Sequence, residues 1–234
     1  MRKFAPEGYP FILVPLAITI IASIFFFWTW KSGNAVTSYL LLSITFLFFV
    51  LTFFMAFFFR NPERIIPGGN GIFVAPADGK VILIRDVYEG DFLKAESKEI
   101  GIFMSPLDVH VNRAPCEGKV IDVKYSPGKF MAAYKDDASI RNENIVMIID
   151  GKEGRVLVRQ VAGFLARRAV CRAKVGDVLD RGEEYGIIKF SSRLDVYLPK
   201  RVEVKVKPGD KVKAGETVIA VMNMKDADID QKFI

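Results

Sequence analysis

Two kinds of hydrophobic pattern divide the chain. Residues 11–30 and 37–59 are apolar and contain no charged residue over 20 and 23 positions. At a rise of 1.5 Å per residue, each segment is long enough as a helix to cross a hydrocarbon core of ~30 Å. The short segment 31–36 between them predicts a helical hairpin in a membrane. Two buried core helices are the alternative, but the rest of the chain is too charged to enclose them.

Beyond residue 71 the pattern changes to short apolar runs that are separated by turn residues. Runs of this length, several of them alternating between apolar and polar positions, are typical of strands. Residues 60–71 are rich in Pro and Gly and predict a linker. We therefore expect a membrane anchor over 1–59, a linker over 60–71 and a mainly β domain over 72–234.

Two pairs of similar segments indicate an internal duplication. APADGKVI at 75–82 recurs as APCEGKVI at 114–121, and KVGDVLDRGEEYGII at 174–188 recurs as KPGDKVKAGETVIAV at 207–221. The second pair has the turn pattern of barrel-sandwich domains, in which glycine supplies the positive φ of tight turns. The predicted fold is a duplicated, barrel-sandwich-hybrid-like β domain that follows the helical hairpin.

The distribution of charged residues predicts how the helical hairpin is oriented in the membrane. Cations flank the outer ends of the two apolar segments, at Arg2, Lys3, Arg60 and Arg64, whereas only Lys31 lies between the segments. Because cytoplasmic flanks are enriched in Lys and Arg, we expect both ends of the chain and the β domain on the cytoplasmic side of the cell membrane. Residues 60–234 carry 30 Lys and Arg against 26 Asp and Glu, and this net charge of +4 is mild and dispersed. It suits an anionic lipid surface and does not indicate nucleic acid.

The candidate chemistry centres on the only histidine, His110, in SPLDVHVNRAP. No metal site is expected, because there is no second histidine and the two cysteines are not at ligand spacing. A histidine that moves protons needs a carboxylate to orient it and a hydroxyl to activate. The residues alone leave open two carboxylates, Asp78 and Asp108, and five hydroxyls, Ser105, Ser126, Ser139, Ser191 and Ser192.

A series of segments in order resembles the phosphatidylserine decarboxylase proenzymes of the short prokaryotic type. Among them are FFRNPER (58–64), VAPADGKV (74–81), FMSPLDVHVNRAPCEGKV (103–120) and GDVLDRGEEYGIIKFSSRLDVYLP (176–199). Together the matching segments cover essentially all of 58–220. The resemblance implies a carboxy-lyase that converts phosphatidylserine to the ethanolamine lipid, and it leaves open whether the lipid is a diacyl ester or an archaeal ether.

The resemblance also implies a cofactor made from the chain itself. The chain would cut itself between residues 191 and 192, and Ser192 would become a pyruvoyl group that forms a Schiff base with the amine of the substrate. His110 would take the hydroxyl proton of Ser192 and later return a proton to the substrate. Asp78 would orient the imidazole.

Further expectations concern partners and substrate binding. The two products of cleavage, chains 1–191 and 192–234, would stay associated, while the question of a homo-oligomer is open. Arg113 and Arg193 are the candidates for binding the phosphate or carboxylate of the lipid. A surface or structural role is the alternative for each of them.

Ser191 departs from the family pattern, which has glycine at this position. A Cβ restricts the backbone and hinders the carbonyl that is to be attacked. Three readings therefore stay open: the serine is tolerated, it is a natural or engineered substitution that traps the proenzyme, or the chain is a divergent, poorly processed homologue.

Two other functions are alternatives. One is a membrane-tethered carrier module of the biotinyl or lipoyl kind, with Lys225 as the modified lysine, because shared architecture does not imply shared function. Against it, the chain ends too soon after Lys225 for the returning strand of such a module. The other is an unprocessed, inactive homologue.

Overall fold

The computed structural model describes residues 3–128, 142–163, 169–189 and 192–222. The chain separates into two units, Met1–Pro62 and Glu63–Ile234. Ser191 and Lys225 lie outside the described residues, and so does the peptide bond between residues 191 and 192.

The first unit is a helical hairpin. After a 3-10 turn over Pro6–Gly8 come α1 (Tyr9–Lys31) and α2 (Ala35–Phe58). The side chain of Asn34 caps α2 by accepting a bond of 3.3 Å from the backbone N–H of Thr37. Most of the large apolar side chains of both helices are exposed within this unit. By length and composition each helix could cross a membrane, and the predicted pair of apolar helices is present.

The second unit is built from strands, as the apolar runs predict. In chain order they are β1 (Ile72–Val74), β2 (Gly79–Glu89), β3 (Ala95–Met104), β4 (Val111–Arg113), β5 (Gly118–Ser126), β6 (Asn144–Gly151), β7 (Gly154–Ala162), β8 (Ala169–Cys171), β9 (Val178–Leu179), β10 (Glu184–Ile188), β11 (Ser192–Pro199), β12 (Val202–Val204), β13 (Lys211–Val212) and β14 (Val218–Met222).

The strands form one large sheet and two small ones. The large sheet has the order β13-β2-β3-β11-β7-β6-β5-β9 and curls into a half-barrel. The small sheets are β1-β14-β12 and β4-β10-β8. Side chains alternate between the two faces of a strand, and one face of the central strands supplies the core, with Ile102 of β3, Val158 of β7 and Leu194 of β11 buried in one cluster.

The sheet order reveals a duplication with approximate two-fold symmetry. Counted inward from the two ends of the large sheet, β13 corresponds to β9, β2 to β5, β3 to β6 and β11 to β7. The small sheets correspond in the same way. Matching turn bonds follow this symmetry: Gly182 N donates to Ala114 O and Gly215 N to Ala75 O, each at 2.8 Å. These are the segments whose sequences resemble each other.

One half of the duplication is inserted into the other. In the second half, β6 and β7 form a tight hairpin in which Gly151 pairs with Gly154. In the first half the corresponding pair is Met104 of β3 with Ser192 of β11. The whole second half, β4 to β10, lies between Met104 and Ser192 in the chain. Ser192 is therefore the first residue of the first half after the insertion.

Candidate functional site

Ser192 begins β11, a central strand of the large sheet. It pairs with Met104 on one side and with Ala162 on the other. Its side chain lies on the buried face, it has no exposed surface, and its Oγ donates to Met104 Sδ at 3.4 Å. A serine in this position is shielded from bulk water.

His110 is buried directly before β4. Its Nδ1 lies 3.0 Å from the backbone carbonyl oxygen of Asp108. Because a carbonyl can only accept a hydrogen bond, this contact places the ring proton on Nδ1 and makes Nε2 the basic nitrogen. The carboxylate of Asp108 serves a different purpose, since its Oδ2 accepts the N–H of Ser105 at 2.8 Å and closes the turn before His110.

Asp78 has partners other than the histidine. Both of its carboxylate oxygens accept from Arg64 Nη2 at 2.8 Å, and Oδ1 also accepts from Ala214 N at 2.8 Å. This links the segment before β1 to the turn between β13 and β14. In the structure, Asp78 contacts Arg64, and His110 contacts the backbone of Asp108. The orienting role expected of Asp78 stays a prediction.

Arg113 is buried at the end of β4. It donates to Gly182 O at 3.0 Å and pairs with Glu184 at 3.1 Å. Burial lowers the pKa of its guanidinium, an effect that the nearby Glu184 carboxylate opposes. These contacts join β4 to the turn before β10, and binding of a lipid group by Arg113 stays a prediction.

Arg193 lies on the opposite face of β11 from Ser192, because consecutive residues of a strand point to opposite sides. It has no exposed surface. Its Nε donates to Asp195 Oδ1 at 2.5 Å, and its Nη2 lies 3.5 Å from Glu99 Oε1. The structure places this side chain in a buried ion-pair network, away from the face that carries Ser192. Its predicted contact with lipid is untested.

Sequence reasoning missed two amides in the interior. Asn112 of β4 and Gln160 of β7 are at most 1% exposed, and Gln160 Nε2 donates to Asn112 Oδ1 at 2.8 Å. Asn112 Nδ2 also lies 3.9 Å from the sulfur of Met104, the residue that accepts the Ser192 hydroxyl. The available signal was the interruption of the apolar run RVLVRQVAG by a glutamine, since a polar side chain on a core strand needs a reason.

A cavity lies elsewhere in the described chain, and the described residues contain no candidate metal centre. Within the described ranges no group of three His, Cys, Asp or Glu side chains could hold a metal ion. A cavity of about 230 Å³ lies where residues of both halves of the duplication meet. Its lining residues are Gly69, Asn70, Ile72, Cys116, Glu117, Lys152, Glu153 and Arg181.

Comparison with known proteins gives a consistent result. The family model for phosphatidylserine decarboxylase matches residues 51–220. The chain is 44% identical to the phosphatidylserine decarboxylase proenzyme of Geotalea uraniireducens, over 93% of this chain and 96% of that protein. It is 46% identical to the proenzyme of the same name from Geobacter sulfurreducens, with the same coverage. The corresponding proenzyme of Syntrophus aciditrophicus is 42% identical, over 91% of this chain and 94% of that protein.

Proposed function

The chain belongs to the phosphatidylserine decarboxylase family, and on this basis we propose that it removes CO2 from the serine headgroup of phosphatidylserine. As a member of this family it is a carboxy-lyase. The observation that carries the proposal is the identity of 44% over 93% of the chain to a proenzyme of that name. An ether lipid with the same headgroup would undergo the same chemistry.

We propose Ser192 as the precursor of a pyruvoyl group. The group would supply a carbonyl that accepts the electron pair released when CO2 leaves. The described surroundings of Ser192 fit it: the residue is buried, and its hydroxyl contacts a thioether that is linked to two neutral amides. A carbonyl there would be protected from bulk water.

His110 and Asp78 complete the proposed catalytic set. With its proton on Nδ1, His110 could take the Ser192 hydroxyl proton at Nε2 during cleavage and later return a proton to the substrate. For Asp78 the support is its position. Asp78 lies in the turn that precedes β2. Burial lowers the pKa of the Arg113 guanidinium, three residues after His110, and the carboxylate of Asp78 opposes this by raising it.

Strand pairing supports the proposal that the two cleavage products stay together. β11 pairs with β3 over Ser192–Pro199 and with β7 over Ser192–Tyr197. A cut before Ser192 would leave this strand between two neighbours, with its ladder bonds intact. The fragment 192–234 would also retain β13 on β2 and β14 on β1.

The helical hairpin suits a membrane-bound substrate. Exposing the acyl chains of a lipid to water costs roughly 0.8 kcal/mol per CH2 group, so the reaction has to take place at the headgroup plane. We propose that α1 and α2 anchor the enzyme in the cell membrane. The flanking cations favour a second unit on the cytoplasmic side.

Intact mass spectrometry of the purified full chain tests the proposal. We expect a fragment that starts at residue 192 with a blocked N-terminus, and the conversion of phosphatidylserine in vesicles to the ethanolamine lipid. Ser192→Ala should remain one chain without activity, and His110→Ala should lose cleavage or turnover. Ser191→Gly should cleave at least as fast as the parent chain. An uncut parent with no activity would refute the proposal, and a biotin or lipoate adduct on Lys225 would favour the carrier alternative.

A further inference from the structure

A chain of four buried polar groups runs through the interior beside Ser192. Ser192 Oγ and Asn112 Nδ2 both donate to Met104 Sδ, at 3.4 Å and 3.9 Å. Asn112 Oδ1 accepts from Gln160 Nε2 at 2.8 Å. None of the four residues is more than 1% exposed. The chain of contacts therefore connects Gln160 to the hydroxyl that the proposed function uses.

Gln160 and Ser192 are close neighbours on one face of the sheet. Ser192 pairs with Ala162, and Leu194 pairs with Gln160, so Gln160 is diagonal to Ser192 on the buried face. Diagonal neighbours on the same face are within reach of long side chains. Gly186 provides space for the amide, because a Cβ there would lie 2.9 Å from Gln160 Nε2 and 2.3 Å from Val170 O.

The oxygen of this amide lacks a donor. Gln160 Nε2 donates to Asn112 Oδ1 and, at 3.4 Å, to Val170 O, and these two acceptors identify which end of the amide is the NH2 group. Within the described part of the chain, no donor reaches Gln160 Oε1, although the atom is buried. Leaving an acceptor in this state costs about 1–3 kcal/mol, and such a group in a native protein calls for an explanation.

We propose that Gln160 Oε1 accepts an N–H of the primary amine of the substrate, with Asn112 as the positioning residue that holds the amide. The inference rests on the proposed function, which brings a serine headgroup to residue 192 after the chain has been cut before it. An amide oxygen suits the task because it accepts an N–H but does not take up the proton. Being neutral, it does not hold the amine in the unreactive ammonium form. Gln160 thereby distinguishes lipids with a headgroup amine from lipids without one.

Binding to the cleaved protein tests this role without turnover. The full chain is purified after cleavage, and the carbonyl at residue 192 is reduced with borohydride. Calorimetry then compares dihexanoyl phosphatidylserine with dihexanoyl phosphatidylglycerol, which has no amine. Gln160→Met removes the acceptor at similar volume, and Gln160→Asn keeps an amide but draws it back by one methylene.

We expect both variants to reach complete cleavage and, once cleaved, to bind phosphatidylserine about tenfold more weakly, with phosphatidylglycerol unchanged. An equal loss for both lipids would indicate a merely structural residue and overturn the inference. So would unchanged affinity for phosphatidylserine, or failure of folded variants to cleave. If Gln160→Met does not fold, Gln160→Asn decides the question. A parent chain that is neither cut nor active would refute the proposed function and this inference with it.

Discussion

The two cysteines of the chain differ in their surroundings. Cys116 is 2% exposed, and burial raises the pKa of its thiol to about 12, with the carboxylates of Glu153 and Glu117 adding to the shift. Cys171 is partly exposed, and burial raises the pKa of its thiol as well. Since the thiolate is the reactive form, the environment of Cys116 keeps it inert at neutral pH. The pattern fits structural thiols rather than redox chemistry.

Alkylation rates check this difference. With iodoacetamide at pH 8, we expect Cys116 to react at least ~10³-fold more slowly than a free thiol, because about one molecule in ten thousand carries the thiolate. Cys171 should react first, and both should react rapidly in guanidinium. The raised pKa favours the protonated folded state, so its contribution to stability is lost as the pH rises from about 9 towards 12. Labelling of Cys116 at the rate of Cys171 in the native protein would contradict this assignment.

Among the elements, β11 has apolar or neutral side chains on one face and charged side chains on the other. Ser192, Leu194 and Val196 point to the core, whereas Arg193 and Asp195 point to the other face and are equally buried. Asp195 pairs with Gly101 of β3, where a Cβ would lie 3.0 Å from Asp195 Oδ1 and 3.2 Å from Arg193 Nη2. The absence of a side chain at residue 101 thus makes room for the ion pair.

The same network continues to neighbouring strands. Glu99 of β3 accepts from Tyr197 Oη at 3.2 Å and from Arg85 Nε at 2.7 Å. Arg159 of β7 donates to Tyr197 Oη at 3.2 Å and pairs with Glu89 at 3.5 Å. Strands β2, β3, β7 and β11 are therefore joined by charged groups as well as by backbone bonds. Such networks fix strand register, because a shift by one residue would move the charges into the apolar core.

Removing one member of the network should be costly. We expect Asp195→Ala to lower the free energy of unfolding by about 3–5 kcal/mol, because it leaves the buried guanidinium of Arg193 without its short partner. Asp86→Ala is the matched control. It removes a partner of Lys98 from an exposed pair on β2 and β3 and should cause no measurable change. Thermal melting of the detergent-solubilised protein compares the two, and equal melting temperatures would show that the network does not contribute to stability.

At this scale the sequence predicted the strands but not their buried charges. Short alternating runs separated by turns indicated a β domain, and the mainly β fold with two preceding apolar helices is confirmed. In RLDVY, the alternation of charged and apolar residues is the pattern of a strand with one solvated face. Burial of Arg193 and Asp195 depends on partners from other strands, such as Glu99. The alternation of residues within one strand does not show which residues of other strands will be its partners.

For the whole molecule, the duplication creates two symmetry-related places, and the proposed catalytic groups lie at one of them. The symmetry places Gly71 at the position of His110, since Gly71 O accepts from Met222 N as His110 O accepts from Ile188 N. It likewise places Gly154 at the position of Ser192. His110 of the second half and Ser192 of the first half thus form one place, and Gly71 and Gly154 form its counterpart, which has neither the base nor the hydroxyl. The cavity beside Gly69, Asn70, Lys152 and Glu153 lies at this counterpart. The repeated segments were visible in the sequence. The insertion of one half into the other was not, because it depends on which strands pair.

The two halves provide a matched test of Asp78. Its counterpart is Glu117, in the turn with the second APxxGKV sequence. Asp78 is 13% exposed and holds the buried Arg64, whereas the pair of Glu117 with Lys152 is largely exposed on both sides. We expect Asp78→Asn to lower the free energy of unfolding by about 2 kcal/mol, because a hydrogen bond to a charged group is weakened. Glu117→Gln should leave both stability and cleavage unchanged.

A third variant separates structure from catalysis at Asp78. Arg64→Met removes the ion pair but leaves the carboxylate in place, so it should reduce the melting temperature without slowing cleavage at residue 192. If Asp78 orients His110, as proposed, Asp78→Asn should slow cleavage strongly, even at temperatures where both variants are fully folded. Melting curves and the time course of the 192–234 fragment, measured side by side, make the comparison. Equal cleavage rates for the two folded variants would confine Asp78 to its structural bond with Arg64 and leave the Asp108 carbonyl as the group that fixes the tautomer of His110.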